Sequence, residues 1–191
     1  MSVREVVSIG EPVLRQRASE LSSEEIASSQ VQGLIDDLIE TKRTMQGAGL
    51  AANQVGEPVR VAVVEVEEGN PRYPYKPPVP LTVLINPVIE PLGDEMVEIN
   101  EGCLSVPDLR GSLQRHLAIR VRYRDRLGRE CDEVKRGLTA GTFQHEIDHL
   151  DGVLFVDRAD PRTFATWEQF ERYQRAEFVR RVTRLTEELE S

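Results

Sequence analysis

The apolar positions of this chain switch between helical and extended rhythms. Val31, Leu34, Ile35, Leu38 and Met45 keep the i, i+3, i+4, i+7 spacing of one helix face. Ser22-Ser23-Glu24-Glu25 ahead of them has the S-x-x-E spacing of a capping box, so a helix is predicted from about Glu24 to Met45. Val59 to Val66 is rich in β-branched residues and reads as a strand. Leu81 to Glu90 and Asp94 to Asn100 read as two more, around a turn at Pro91-Leu92-Gly93. From Leu117 to Asp125 the pattern alternates, with Ile119, Val121 and Tyr123 set against Arg120, Arg122 and Arg124, as in a half-exposed strand. Gly128 turns it into another at Glu130 to Val134. Phe143, Ile147 and Leu150 return to a helix, with Gly152 as its stop.

Val153 to Val156 is predicted as a short strand. Phe164, Trp167 and Phe170 begin a helical pattern that Phe178, Val182, Leu185 and Leu189 continue. Met1 to Arg17 and Gly69 to Pro80 lack a rhythm. The second of these, with five prolines and two tyrosines, is expected to be a surface loop.

At 191 residues the chain is expected to be one domain, residues 1–160, with 161–191 as a helical extension of it. A net charge of −9 argues against a general nucleic-acid or anionic-membrane surface, and no apolar run is long enough to span a bilayer. The first twenty residues lack the apolar core of a signal peptide, so a cytoplasmic, bacterial-type location is expected. There Cys103 and Cys131 should be thiols.

Chemistry concentrates in Gln144-His145-Glu146-Ile147-Asp148-His149-Leu150-Asp151-Gly152. Four residues apart on a helix, His145 and His149 point the same way and suit one metal ion, opposite the apolar face of Phe143, Ile147 and Leu150. Glu146 sits about 100° around from His145, placed to handle protons rather than to ligate. The third ligand is open. The position where some zinc proteases carry a third histidine is Phe155, a thermolysin-like site would draw on Glu168 or Glu171, and Cys103 upstream is the remaining choice. A non-catalytic structural metal is a further alternative, although no fourth protein ligand is evident.

Three stretches together resemble the peptide deformylases. Gly47 to Gln54 is similar to that family's G-x-G-L-A-A-x-Q, Glu101 to Ser105 to its E-G-C-L-S, and Gln144 to Gly152 to its Q-H-E-x-D-H-L-x-G. Order and spacing agree over roughly Val3 to Asp157. Asn53 stands where proline is frequent, and Ala140, Gly141 and Thr142 are small where many members are bulkier.

The resemblance implies an α+β fold with antiparallel sheets packed around the H-E-x-x-H helix. It implies hydrolysis of the N-formyl group from the formyl-methionine of nascent peptides, with release of formate. Cys103, His145 and His149 would bind the metal, Fe²⁺ by family preference, with Zn²⁺, Ni²⁺ or Co²⁺ in purified protein. Glu146 would act as general base and then acid, and the Gln54 amide and Leu104 backbone N–H would hold the oxyanion. Gly47, Ala48 and Gly49 on one side and Glu101 and Gly102 on the other would take the peptide as an added strand. An apolar pocket beside Leu138, Thr142 and His145 would receive the methionine side chain, and Arg110 would assist the peptide backbone, the alternative for it being an exposed arginine with no such role. Arg175, Arg180, Arg181 and Arg184 make the tail locally basic and suggest a ribosome contact, with no sequence-specific nucleic acid and no membrane among the partners.

Overall fold

The computed structural model describes residues 2–70 and 72–190, and of Glu190 the backbone alone. Met1 and Pro71, in the stretches expected to be irregular, and Ser191, at the end of the tail, lie outside the described residues.

Ser28 splits the first predicted helix. Ser22 and Glu25 form the expected capping box of α1 (Ser23–Ala27). At Ser28 the backbone is extended, and its hydroxyl donates to the Glu25 carbonyl at 2.6 Å and accepts from Val31 N–H at 3.3 Å. A short hydroxyl that bonds the neighbouring backbone ends one helix and caps the next. The second is α2 (Ser29–Thr44).

Five strands form one antiparallel sheet: β1 (Gly49–Ala51), β2 (Val61–Val66), β3 (Val79–Pro91), β6 (Ala118–Arg124) and β7 (Glu130–Arg136), in the order β1-β2-β3-β6-β7. A separate hairpin pairs β4 (Met96–Cys103) with β5 (Val106–His116). The stretches on either side of Pro91-Leu92-Gly93 therefore do not pair with each other, because β3 lies between β2 and β6. The periodic reading does not find β5, whose inward positions include Arg110 and Arg115, at 1% and 2% exposure. Inward charges erase the apolar alternation that marks a strand.

All six β2 residues are buried, because both faces of the sheet are covered. Val61 and Val63 pack with Leu34, Ile35 and Leu38 of α2. Ala62, Val64 and Val66 pack on the other face with Phe143, Ile147 and Leu150 of α3 (Gly137–Leu150). Each valine, leucine, isoleucine or phenylalanine among them, fully buried, contributes about 1.5–3 kcal/mol. Helix α3 touches every strand of the sheet and of the hairpin, so it is central to the fold. It ends as predicted, with Gly152 in left-handed backbone at φ 75°.

Val153 to Val156 is not a strand. Leu154 and Phe155 are buried, and the Asp157 carboxylate accepts from Leu154 N–H at 2.8 Å, closing a 3₁₀ turn over Phe155–Asp157. The tail forms α4 (Trp167–Tyr173) and α5 (Arg175–Glu190). Phe170, Phe178 and Val182 pack with Ile99 and Leu138, so these helices share the core of the body. No helix among the described residues is long and apolar enough to cross a membrane.

Candidate metal centre

His145 and His149 stand one turn apart on α3 with ring centroids 4.9 Å apart. Cys103 reaches them from the end of β4, where the hairpin turns through Leu104 and Ser105. Its sulfur lies 3.2 Å from His149 Nε2, and the ligand atoms of the three residues all lie within 4.8 Å of one another. Glu168 and Glu171 are exposed on α4 outside this group, and Glu171 pairs with Arg175. Phe155 stacks near His145 and offers no ligand.

Charged residues behind the cluster hold it in place. His145 Nδ1 lies 2.8 Å from Glu101 Oε2, and Arg115 grips both Glu101 oxygens at 2.8 and 2.9 Å. Arg115 also bonds Asp148 on α3 at 2.5 Å. Burial pushes the Glu101 carboxyl up, but Arg115 and His145 outweigh it and hold the group well below the usual carboxylate range. Glu101 thus turns its carboxylate to His145 and Arg115 while the residue also lines the cavity. Burial also drives His149 well below its ordinary pKa, toward the neutral form that can coordinate. Gln144 clamps α3 to β5, accepting from His116 N–H at 3.0 Å and donating to its carbonyl at 2.9 Å.

Glu146 is 4% exposed, and its Oε2 has no hydrogen-bond partner. Burial pushes its pKa up to about 7, against the opposing charges of His145 and Lys76. Gly49 faces this carboxylate so closely that a Cβ there would lie 2.4 Å from Oε1. The absence of a side chain at Gly49 thus makes room for the Glu146 carboxylate. Gln54 Oε1 accepts from Ala51 N–H at 2.9 Å, which aims Nε2 at Ser105 Oγ (3.1 Å) and the Cys103 sulfur (3.5 Å). Asn53, next to it, is buried and donates to the His149 carbonyl, tying this loop to the metal helix.

One cavity opens onto these groups. Gly47, Ala48, Gly49, Gln54 and Leu104 line one side, and Glu101, Gly102, Arg110, Leu138 and Thr142 line the rest. Arg110 is buried, not exposed. It bonds Asn100 through Nε at 2.7 Å and through Nη2 at 2.8 Å, and stacks against Trp167 and Phe170 at 4.3 Å each. Its Nη1 has no hydrogen-bond partner.

Sequence reasoning missed Arg115, which no pattern marks, and the contribution of the proline-rich loop. Tyr73, Tyr75 and Lys76 of that loop lie against the cavity, and Phe178 of α5 completes the wall. The two tyrosines among prolines were the available signal. Cys131 is half-buried on β7, apart from the metal-site group.

The family model described as polypeptide deformylase matches residues 3–165. A peptide deformylase of Leptospira biflexa is 45% identical over 158 residues, covering 83% of this chain and 88% of the relative. Peptide deformylase 2 of a Nostoc strain is 45% identical over 155 residues, covering 81% and 85%. Among solved structures, the class I type b peptide deformylase of Acinetobacter baumannii bound to Met-Ala-Ser superposes with a TM-score of 0.79 at 40% identity, covering 83% of this chain and 99% of that one. The Thermotoga maritima peptide deformylase gives 0.74 at 34% identity, covering 84% and 100%.

Proposed function

The chain belongs to the polypeptide deformylases, metalloenzymes that remove the N-formyl group from nascent peptides, and we propose that Cys103, His145 and His149 hold its metal while Glu146 moves the protons. The observation that carries this assignment is the convergence of one thiol and two imidazoles, with a buried carboxylate beside them. The donor set fits a divalent metal: one sulfur and two imidazoles converge, Gln54 Nε2 and Ser105 N–H both approach the sulfur, and His145 keeps its second nitrogen on Glu101. Thiolate with imidazole suits Fe²⁺, the metal we assign, and also accommodates Zn²⁺, Ni²⁺ or Co²⁺. The bound metal would supply a Lewis acid that makes hydroxide available near neutral pH.

Glu146 accepts the proton of the attacking water and returns it to the leaving amine. A pKa near 7 suits both directions of transfer. Gln54 Nε2 donates to the oxyanion that develops on the formyl oxygen, with the Leu104 backbone N–H as second donor. Removing one such donor typically costs about 10²–10³ in rate. The peptide adds as a strand along β4, whose ladder partner among the described residues is β5 alone, which leaves its other edge for Gly102 to present. The Acinetobacter relative was solved with Met-Ala-Ser bound, which supports a short peptide as the kind of ligand this site takes. Arg110 Nη1 is the donor we assign to the peptide backbone.

Residues 161–191 act as a helical extension of the catalytic domain. The body around the site reaches the family match at residue 165, and the tail adds Phe178 to the pocket wall. The apolar side of α5 is buried, so Arg180 and Arg184 face outward, which favours a ribosome contact in the cytoplasm.

The test uses two variants, both checked for folding by circular dichroism. Glu146→Ala should keep its metal and lose at least ~10² in formate release from formyl-Met peptides. Cys103→Ala should lose metal and activity together. A folded, metal-replete and active Cys103→Ala protein overturns the ligand assignment.

A further inference from the structure

The pocket expected to be apolar carries a cation. Lys76 Nζ donates to Thr142 Oγ1 at 2.8 Å, and that hydroxyl in turn donates to the Leu138 carbonyl at 3.1 Å. An ammonium has three hydrogens, so this bond leaves two for another acceptor. The ammonium also lies 4.9 Å from the centre of the Tyr73 ring. The loop that delivers it is fastened at both ends of the turn. Asn70 accepts from Arg72 and Tyr73 N–H, and Tyr75 meets Phe178 edge to face at 5.2 Å.

The small residues before the metal helix make room for this arrangement. A Cβ on Gly141 would strike Ile99 at 2.4 Å, so glycine lets Ile99 close one wall, and Thr142 presents its hydroxyl to the lysine. Burial draws the Lys76 pKa down to about 8, while Glu101 and Glu146 oppose the fall, so the charged form still predominates at neutral pH. The cavity measures about 50 Å³. That is room for roughly three to five waters across the whole site.

Resting on the deformylation assigned above, we propose that Lys76 is a specificity-determining residue that lets the pocket accept formyl peptides whose first side chain ends in a hydrogen-bond acceptor, methionine sulfoxide foremost, as well as methionine. Sulfoxide has nearly the shape of the thioether and adds one strongly accepting oxygen. A wholly apolar pocket rejects an added polar atom of this size by about 10²-fold. Here an ammonium with hydrogens to spare stands in the wall beside the space that the side chain fills, and Leu138, Ile99 and Phe178 still cover its apolar part. The wild-type enzyme therefore discriminates little between the two forms.

The experiment compares kcat/KM for formyl-Met(O)-Ala-Ser and formyl-Met-Ala-Ser in wild type, Lys76→Met and Lys76→Arg. The ratio of the two substrates is the readout, because any effect of the lysine charge on Glu146 acts on both alike. The wild-type ratio should lie within about 10-fold of unity. Lys76→Met should lower it at least ~10-fold, the worth of a hydrogen bond to a charged donor, and Lys76→Arg should restore part of it. A wild-type ratio below about 10⁻¹, or a ratio that Lys76→Met leaves unchanged, overturns the proposal. The wild-type ratio alone decides if the methionine variant fails to fold. Wild-type enzyme that is inactive on both peptides would instead sink the deformylation on which this rests.

Discussion

Gly49→Ala is the most local test of how the carboxylate is positioned. The added Cβ would lie 2.4, 2.5 and 2.6 Å from Oε1, Cδ and Cγ of Glu146, where ordinary contact begins near 3.4 Å. The carboxylate must therefore retreat by about 1 Å, since β1 is fixed by its pairing with β2 and α3 is packed against every strand. A displacement of about 1 Å from productive geometry can cost 10²-fold. Overpacking of this kind destabilises by about 1–3 kcal/mol, which a domain of this size survives. The assay is formate release under saturating and limiting peptide, with metal content and thermal unfolding measured in parallel. The loss should fall mainly on kcat, with metal retained. In a Glu146→Ala background the same glycine substitution should cost less than about twofold more, because the group it displaces is gone. Equal losses in the two backgrounds would show that Gly49 acts through something other than Glu146, and the reasoning would fail.

Glu101→Gln should weaken metal binding about 10–100-fold through loss of the charged partner of His145, read by competition with a chelator. Unchanged affinity would count against an orienting role. Glu65 is held at about 2 by Arg43 and Lys42, in spite of its burial. With an ordinary value of 4.5, this corresponds to about 3 kcal/mol of stability. The folded pKa is depressed, so the contribution is complete above 4.5 and disappears as pH falls through about 2. Urea unfolding of Glu65→Gln should show a deficit of about 3 kcal/mol at neutral pH that narrows across that window, and a deficit that does not change with pH would refute the pairing. Arg180→Glu with Arg184→Glu, both exposed on α5, should reduce ribosome co-sedimentation while circular dichroism stays unchanged. Undiminished co-sedimentation removes the proposed contact.

What could be read in advance follows from where the physics is local. Alternation in β6 and the apolar face of α3 are set by burial of one face of each element in the core, and they appear in the sequence as periods of two and of 3.6. The pattern for one long helix was right about the face and wrong about continuity, because Ser28 exerts its effect through two hydrogen bonds rather than through hydrophobicity. Strand β5 was hidden by Arg110 and Arg115, whose inward placement depends on Asn100, Glu101 and Asp148, all distant in sequence or on other elements. Motif spacing named Cys103, His145 and His149, whose ligand atoms lie within 4.8 Å of one another. It could not show that Lys76 crosses 66 positions to meet Thr142, since the prolines around it specify irregularity without direction.

The pocket wall contributed by Phe178 also sets an order of events. Gly47 to Gln54 is synthesised early, α3 follows, and the aromatic side chain of Phe178 comes from α5, the last helix among the described residues. While this protein is being translated, the residues that line the chamber are all present before α5 except Phe178. The wall is therefore completed late. A polypeptide stalled or cut before α5 would hold the reactive groups of the enzyme without the enclosure that selects what reaches them.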